Sequence, residues 1–311
     1  MKTVFSKDYS VITFATNKLS YLQFALNCAR SVLLFNDINI YIVSNITITI
    51  PRDLENKVFI IPAVAEHGAM GIGIKLHTDK YLQTENSLFI DADCICFDSL
   101  EKIFKACDGM DVSCAGRVVP AADWCGVKQA ETIKDNFGID NLVRFNGGLY
   151  YIKKSRVTTQ IFDKAREIAN KYDDYGFDRI NDKWINEEGP LSIAMMLNNQ
   201  QPIADDGQYM TDLYTDPFPK INVLKKGSRL LKNPSRGVKH RPWYPPCYSP
   251  IILHFGGSTI NSYPYNSQNA LLKLYHLKVP AWIAYSVVCF IHIVYRSYYW
   301  LNTVKNNLTD A

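Results

Sequence analysis

The chain lacks the marks of a metal-thiolate, phosphate-loop or secreted protein. Its eight cysteines, Cys28, Cys94, Cys96, Cys107, Cys114, Cys125, Cys247 and Cys289, include no C-x-x-C pair. Most lie in apolar runs, so neither a zinc site nor a disulfide framework is expected. Buried free thiols in a reducing compartment are the simpler reading. Met1 to Asp8 hold no apolar stretch before a cleavage site, which argues against a secretory signal. The glycine-rich segment from Glu66 to Lys75 lacks the G-x-x-x-x-G-K-[ST] spacing of a phosphate loop. A net charge of +4 is too small to point to nucleic acid as a partner. No low-complexity tract or internal repeat stands out. The 311 residues, 47% hydrophobic and 21% charged, suffice for one large domain or two modest ones with a substantial core.

What is present is an alternation of strands and helical stretches. Val11 to Ala15, Ile38 to Val43 and Val58 to Ile61 are β-rich runs. Between the first two, Tyr21, Leu22, Ala25, Cys28, Ala29, Val32 and Leu33 recur at helical spacing. Strand, helix, strand, strand with short connections predicts an α/β layer with a mostly parallel sheet. Ligands bind such sheets beyond the carboxyl ends of the strands. The turn Ala15-Thr16-Asn17 is therefore a candidate nucleotide contact, and Asn17 is also placed to cap the helix that follows. Leu88-Phe89-Ile90 reads as a buried strand that delivers Asp91 and Asp93, with Ala92 between them. Residues i and i+2 of an extended chain point the same way. Two like charges at a buried strand end repel, and a hard divalent cation relieves them. An isolated Asp-x-Asp equally fits a strand cap and a solvated turn; the apolar strand before it gives it weight.

Further candidates follow in order. Lys75 opens a helix expected around Ile74 to Leu82, from which it reaches a phosphate or stays solvated. A short helix is expected from Leu100 to Phe104 and a strand from Val112 to Ala115. From Gly116 to Arg144 no periodicity is strong, which predicts a loop over the site. Phe145-Asn146-Gly147-Gly148 precedes a strand. Paired glycines let the backbone approach a ligand closely, and Asn146 either bonds a hydroxyl or sits left-handed in a bulge or turn. Val157 to Tyr172 predicts an amphipathic helix burying Ile161, Phe162, Ala165, Ile168 and Ala169. Glu187 and Glu188 stand at the next helix start, where the dipole favours acids; both are also carboxylates to aim at a sugar or a reacting centre. An apolar strand from Ile251 ends in His254, Gly256 and Gly257, where the histidine is a core residue or a ligand. The basic run from Lys225 to Arg241 is a solvated face, a diphosphate neutraliser or a lipid contact.

The tail changes character. Val279 to Tyr295 carries hardly a charge, yet falls short of the roughly 20 apolar residues of a membrane span. Tyr298, Tyr299 and Trp300, flanked by Arg296 and Lys305, suit a membrane interface; a helix packed on the core is the alternative. The expected division is a catalytic domain over residues 1–277 and an apolar, aromatic helix over 278–311. The expected location is the cytoplasm, with peripheral or tail-anchored attachment to its membrane face.

Asp91-Ala-Asp93, Phe145-Asn-Gly-Gly148 and His254-Phe-Gly-Gly257 occur in an order and spacing that resembles the metal-dependent nucleotide-sugar glycosyltransferases of GT-A fold. The match runs over roughly Val11 to Gly257 and is nearest the family of glycogenin and the bacterial lipopolysaccharide galactosyl- and glucosyltransferases. The resemblance implies that Asp91, Asp93 and His254 bind Mn²⁺ or Mg²⁺, and that Ala15, Thr16 and Asn17 hold a nucleotide, usually uridine. It further implies that Asn146 and Gly147 sit near a sugar, and that Glu187 and Glu188 take the place of the family's acid–amide pair. The implied partners are a nucleotide-sugar donor and a glycan or lipid-linked acceptor. Two departures stand out. Ser258 to Ser262, just after Gly257, hold no lysine, so Lys75, Lys239 or Arg241 substitutes. Glutamate replaces the family's amide, which puts its retaining stereochemistry in question. Two other readings compete: a metal-dependent nucleotidyltransferase or pyrophosphorylase, which wants a glycine-rich basic first loop, and an inactive sugar-binding membrane module.

Overall fold

The computed structural model describes residues 2–213, 216, 219–225, 229–237, 239–294, 297, 298 and 301. The first half runs β1 (Thr3–Val4), β2 (Tyr9–Phe14), α1 (Leu19–Phe35), β3 (Asn36–Asp37), β4 (Asn39–Ser44), β5 (Val58–Pro62), α2 (Ala65–Gly68) and a 3₁₀ helix (Gly71–Tyr81). It continues through β6 (Asn86–Ile90), β7 (Cys94–Cys96), α3 (Glu101–Ala106), β8 (Val112–Pro120), α4 (Ala121–Cys125), α5 (Val127–Phe137) and β9 (Asn141–Lys153). Then come α6 (Arg156–Asn170), α7 (Glu188–Leu197), β10 (Ile203–Ala204) and β11 (Met210–Asp212). The last part holds β12 (Lys220–Ile221), β13 (Arg229–Lys232), β14 (Cys247–Tyr248), β15 (Ile252–His254), α8 (Tyr263–His276) and α9 (Ala281–Ile291).

The central sheet has seven strands in the order β10-β8-β9-β6-β2-β4-β5. Its pairs are parallel except where β9 lies antiparallel between β6 and β8, which makes it the mostly parallel sheet expected. Alternation along each strand splits the core between the two faces. Val11, Ile40, Leu88 and Ile90 pack under α1 and α3, while Ile12, Val43 and Phe89 pack under α6 and α7. Phe89, fully buried, stacks on Tyr150 at 5.3 Å between ring centroids; burying such a side chain contributes about 1.5–3 kcal/mol. All five residues named for the buried face of α6 are in the core, whereas Tyr21 of α1 is exposed.

Four local expectations are corrected. Gly116 to Arg144 is not a loop: β8 runs on to Pro120, and α4, α5 and the start of β9 fill the rest. Helix α5 buries Ile133 fully and Ala130 and Phe137 partly, a thin apolar stripe among charged and polar residues. Its stop signal was present, since Gly138 closes it in the left-handed region at φ 69°. The helix around Ile74 is 3₁₀ rather than α. Asn17 does not cap α1: it sits at φ 69°, and Lys18 occupies the cap position. Asn146 lies in β9 and not in a left-handed turn, but it does fall in the expected bulge: between the pairs Cys114–Tyr150 and Gly116–Phe145, Asn146 to Leu149 oppose Ala115 alone.

A second lobe joins β12, β13 and β14 to α8 and α9 through one apolar cluster that holds Val223, Leu231, Tyr248, Leu271, Leu272, Ala284 and Val288. Among the described residues, no helix is long and apolar enough to cross a membrane. Arg296, Tyr299, Trp300 and Lys305, part of the expected interfacial cluster, lie outside the described residues, as does Lys226 of the basic run.

Candidate active site

The site forms at the carboxyl end of β6. The registers of a small sheet, β11-β15-β7, build half of it. There Asp212 pairs with His254, and His254 pairs with Cys94. The His254 Nδ1 lies 2.8 Å from Asp212 Oδ1. Its Nε2 lies 3.2 Å from Asp93 Oδ1 and 3.8 Å from Asp91 Oδ2. A carboxylate behind one ring nitrogen leaves the other aimed at the acids, which is how metal-binding histidines are oriented. Burial would lower the His254 pKa, but Asp93 and Asp212 more than offset it and hold the ring well above its ordinary range. Burial also works against ionised Asp93, and His254 outweighs it, leaving that carboxyl below its ordinary value.

The other half is organised by Lys75, which is buried rather than solvated. Its Nζ reaches Asp91 Oδ2 at 2.7 Å, the Gly147 carbonyl at 2.9 Å and Glu187 Oε1 at 3.1 Å. Burial disfavours the ammonium, but the two carboxylates hold it above its ordinary value. Burial pushes Asp91 up to about 6, with Lys75 pulling against this and Asp93 adding to it; near neutrality the pair is an ion pair. Glu187 Oε1 also accepts the Tyr150 hydroxyl, while its buried Oε2 has no hydrogen-bond partner. Glu188 Oε1 accepts the Gly147 N–H at 2.7 Å. Burial and the neighbouring Glu187 push Glu188 up to about 7. A side chain on Gly147 would strike Glu187 Oε1 and, at 2.8 Å, the Tyr150 hydroxyl, so this glycine is a requirement of close approach.

Asn146 joins the halves. Its Nδ2 donates to both Asp212 oxygens at 3.0 and 3.2 Å, and its Oδ1 accepts the Gly148 N–H. Gly148 in turn accepts the Asp91 N–H at 3.0 Å. Lys75, Asp91, Asp93, Asn146, Gly147, Glu187, Glu188 and His254 thus share one network, with half-buried Ala92 between the two aspartates. Gly257 adjoins it through Phe255, whose N–H donates to the Asp93 carbonyl. Ala15, Thr16 and Asn17 follow β2, the parallel neighbour of β6, and lie at the same sheet end. Ala15 is fully buried with both backbone groups bonded to the β4 edge. Asn17 donates to the Gly68 carbonyl at 2.7 Å and pairs with Asn45.

A pocket of about 260 Å³ opens beside the network, lined in part by Trp124, Arg144, Glu188, Asp205, Arg241 and Trp243. Arg117 stacks on Trp243 at 3.4 Å. Arg241 lies 3.8 Å from Asp212 and 3.6 Å from Asp205. Of the cations offered to replace the missing lysine, Lys75 and Arg241 are at the site and Lys239 is exposed. Asp212, Tyr150 and Trp243 have no sequence signal that places them here, whereas Trp124 belongs to the segment expected over the site.

The donor atoms can be tested against a metal. Asp93, Cys94 and His254 present ligand-type atoms within 4.8 Å of one another. That set would suit a soft metal, but the Cys94 thiol faces the Gly148 carbonyl, and burial with Asp93 and Asp91 beside it raises its pKa well above the ordinary range. The carboxylates and Nε2 instead suit Mn²⁺ or Mg²⁺. Asp212→Ala is expected to weaken metal binding about 10–100-fold, because the ring loses its anchoring acceptor. Titrating Mn²⁺ calorimetrically checks this, and an unchanged affinity would remove Asp212 from the role.

No protein-family model matches the chain, and no curated protein matches its sequence. Solved structures do match. An active-site mutant of LgtC superposes with a TM-score of 0.50 at 14% identity, covering 80% of this chain and 87% of that one. LgtC is a galactosyltransferase also solved with donor and acceptor sugar analogs. The glycosyltransferase GlyE of Streptococcus pneumoniae gives 0.49 at 15% identity, covering 92% of this chain and 64% of that one. Mouse xyloside xylosyltransferase 1 gives 0.47 at 12% identity, covering 81% and 99%. The first of these likenesses, with the sheet order above, shows an α/β chain of GT-A fold resembling LgtC.

Proposed function

We propose that the chain is a glycosyltransferase that moves a hexose from a nucleotide-diphosphate sugar, with UDP as the carrier, to a glycan or lipid-linked acceptor. The observation that carries this reading is the single network linking Asp91, Asp93 and His254 to Glu188 beside a tryptophan-lined pocket. Asp91, Asp93 and His254 would hold Mn²⁺ or Mg²⁺, which supplies Lewis-acid neutralisation of a diphosphate leaving group. Thr16 and Asn17 border the nucleotide, and Lys75 adds fixed positive charge without a counter-ion from solvent. The unpartnered Glu187 Oε2 offers an acceptor to a donor-sugar hydroxyl. Glu188 lines the pocket with a pKa near working pH, as suits a group that takes the acceptor proton. Trp124 and Trp243 give a sugar ring apolar faces to pack on. Five fully buried free thiols support a reducing, cytoplasmic location.

The test is to incubate the protein with Mn²⁺ and a panel of nucleotide sugars and to measure released nucleoside diphosphate. Release that needs both metal and acceptor supports transfer. Release of pyrophosphate from a nucleoside triphosphate and a sugar phosphate would point to a nucleotidyltransferase instead. Donor binding without any turnover would point to an inactive sugar-binding module.

A further inference from the structure

We infer that the C-terminal lobe docks on an anionic lipid surface, with α9 lying in the plane of the interface. Helix α9 packs on its lobe through fully buried Ala284 and Val288, yet leaves large apolar side chains in the open. Trp282 is 73% exposed, Phe290 77% and Val294 75%, with Ile291 and Ile293 also more than half exposed. An apolar surface of this kind on a soluble monomer marks a contact site. Among the described residues no helix is long and apolar enough to cross a bilayer, but an apolar face about 5–10 Å deep in the headgroup boundary asks no more than three turns.

The charge pattern selects the partner. From residue 217 to residue 309 the chain contains no Asp or Glu and twelve Lys and Arg, although the whole chain carries only +4. Nine of the twelve are among the described residues of this lobe, and the rest of the chain is net acidic. Lys225, Lys232, Lys239, Lys273 and Lys278 are exposed on it. The segments that bear them share an apolar cluster with α9, so a lobe that offers apolar side chains also offers cations. That pairing matches an anionic bilayer, where each basic residue near the surface adds attraction that decays within a Debye length. A second copy of the chain would bring the same positive lobe against itself. This docking does not depend on the transfer chemistry proposed above, and a lipid-linked acceptor would make use of it.

The test uses the full chain with phosphatidylcholine vesicles and with vesicles containing about 30% phosphatidylglycerol, read by co-sedimentation. Binding to the anionic vesicles is expected to exceed binding to neutral ones about tenfold and to fall in about 0.5 M salt. Phe290→Glu with Val294→Glu should lose about tenfold in vesicle binding while the thermal melt is unchanged, since both side chains are in solvent. Lys273→Glu with Lys278→Glu should reduce the preference for anionic lipid. Equal binding to the two vesicle types, or full binding by the Phe290→Glu, Val294→Glu protein, would overturn the docking. So would light scattering that shows a dimer which this double variant dissociates. Vesicle binding with no nucleoside diphosphate release from any donor would leave the docking standing and sink the transfer reading.

Discussion

Asp93→Ala is expected to lower metal-stimulated turnover by more than about 100-fold, beyond what losing a residue behind a ligand costs. Asp93 Oδ1 is the carboxylate oxygen nearest His254 Nε2, at 3.2 Å, and no other described side chain takes that place. The same pair makes metal binding a proton exchange. In the metal-free protein His254 is held well above its ordinary pKa by Asp93 and Asp212. A group with a raised basic pKa contributes stability at low pH and loses it as pH rises through the folded value. Mn²⁺ must displace that proton, so its affinity should climb with pH from the ordinary histidine range upward. In Asp93→Ala the ring loses one anion, and the pH dependence should move to lower pH. His254→Ala should abolish the same turnover while the fold persists. Full activity in Asp93→Ala, or turnover indifferent to a chelator, would sink the metal assignment.

Glu188→Gln is expected to lower kcat by about 10²–10⁴-fold, the range for a lost general base, while donor KM moves little. Glutamine keeps an oxygen for the Gly147 N–H, so the backbone geometry should survive. The pH profile makes the result specific. Wild-type turnover should rise through about pH 7 as Glu188 ionises, and that limb should vanish in the variant. Stability runs the other way. An acid with a folded pKa above its unfolded one costs stability progressively as pH rises from about 4.5 to about 7. The variant should therefore melt no lower than wild type at neutral pH. If kcat stays within about twofold of wild type, Glu188 is a helix-start residue that props Gly147 and nothing more. The anomeric configuration of the product, read by NMR, then separates inversion by a base from retention.

The difference between Asp93 and Asp212 shows what the sequence could and could not display. Asp91 and Asp93 end a five-residue apolar strand, so their spacing and context are local. His254 ends another strand and is followed by glycines. Asp212 closes a three-residue strand whose meaning comes from pairing with β15, some forty positions later, a register that no periodicity encodes. Tyr150 and Trp243 reach the site by packing, and aromatic residues in core segments carry no signal of that kind. The parallel sheet was legible because buried parallel strands are continuous apolar runs. Helix α5 was not, because Ala130, Ile133 and Phe137 make only a thin stripe among charged and polar neighbours. Asn17 looked like a cap because Asn favours both cap and left-handed positions, and only the loop contact with Asn45 decides between them.

Lys75 has a further consequence for how the protein lives between turnovers. Four acids, Asp91, Asp93, Glu187 and Glu188, converge on a buried sheet end, a crowding that would strain a chain lacking an internal counter-charge. Here an ammonium from the chain itself bridges Asp91 and Glu187, and the His254 ring serves Asp93. The acid charge is therefore partly offset from within the chain at rest. Stripping divalent ions should silence the chemistry and lower the melting temperature only by the lost binding free energy, leaving the protein folded, whereas Lys75→Met should lower it even with Mn²⁺ present. Folding therefore does not wait on the metal: a cell short of it would hold idle, folded protein that can be restarted.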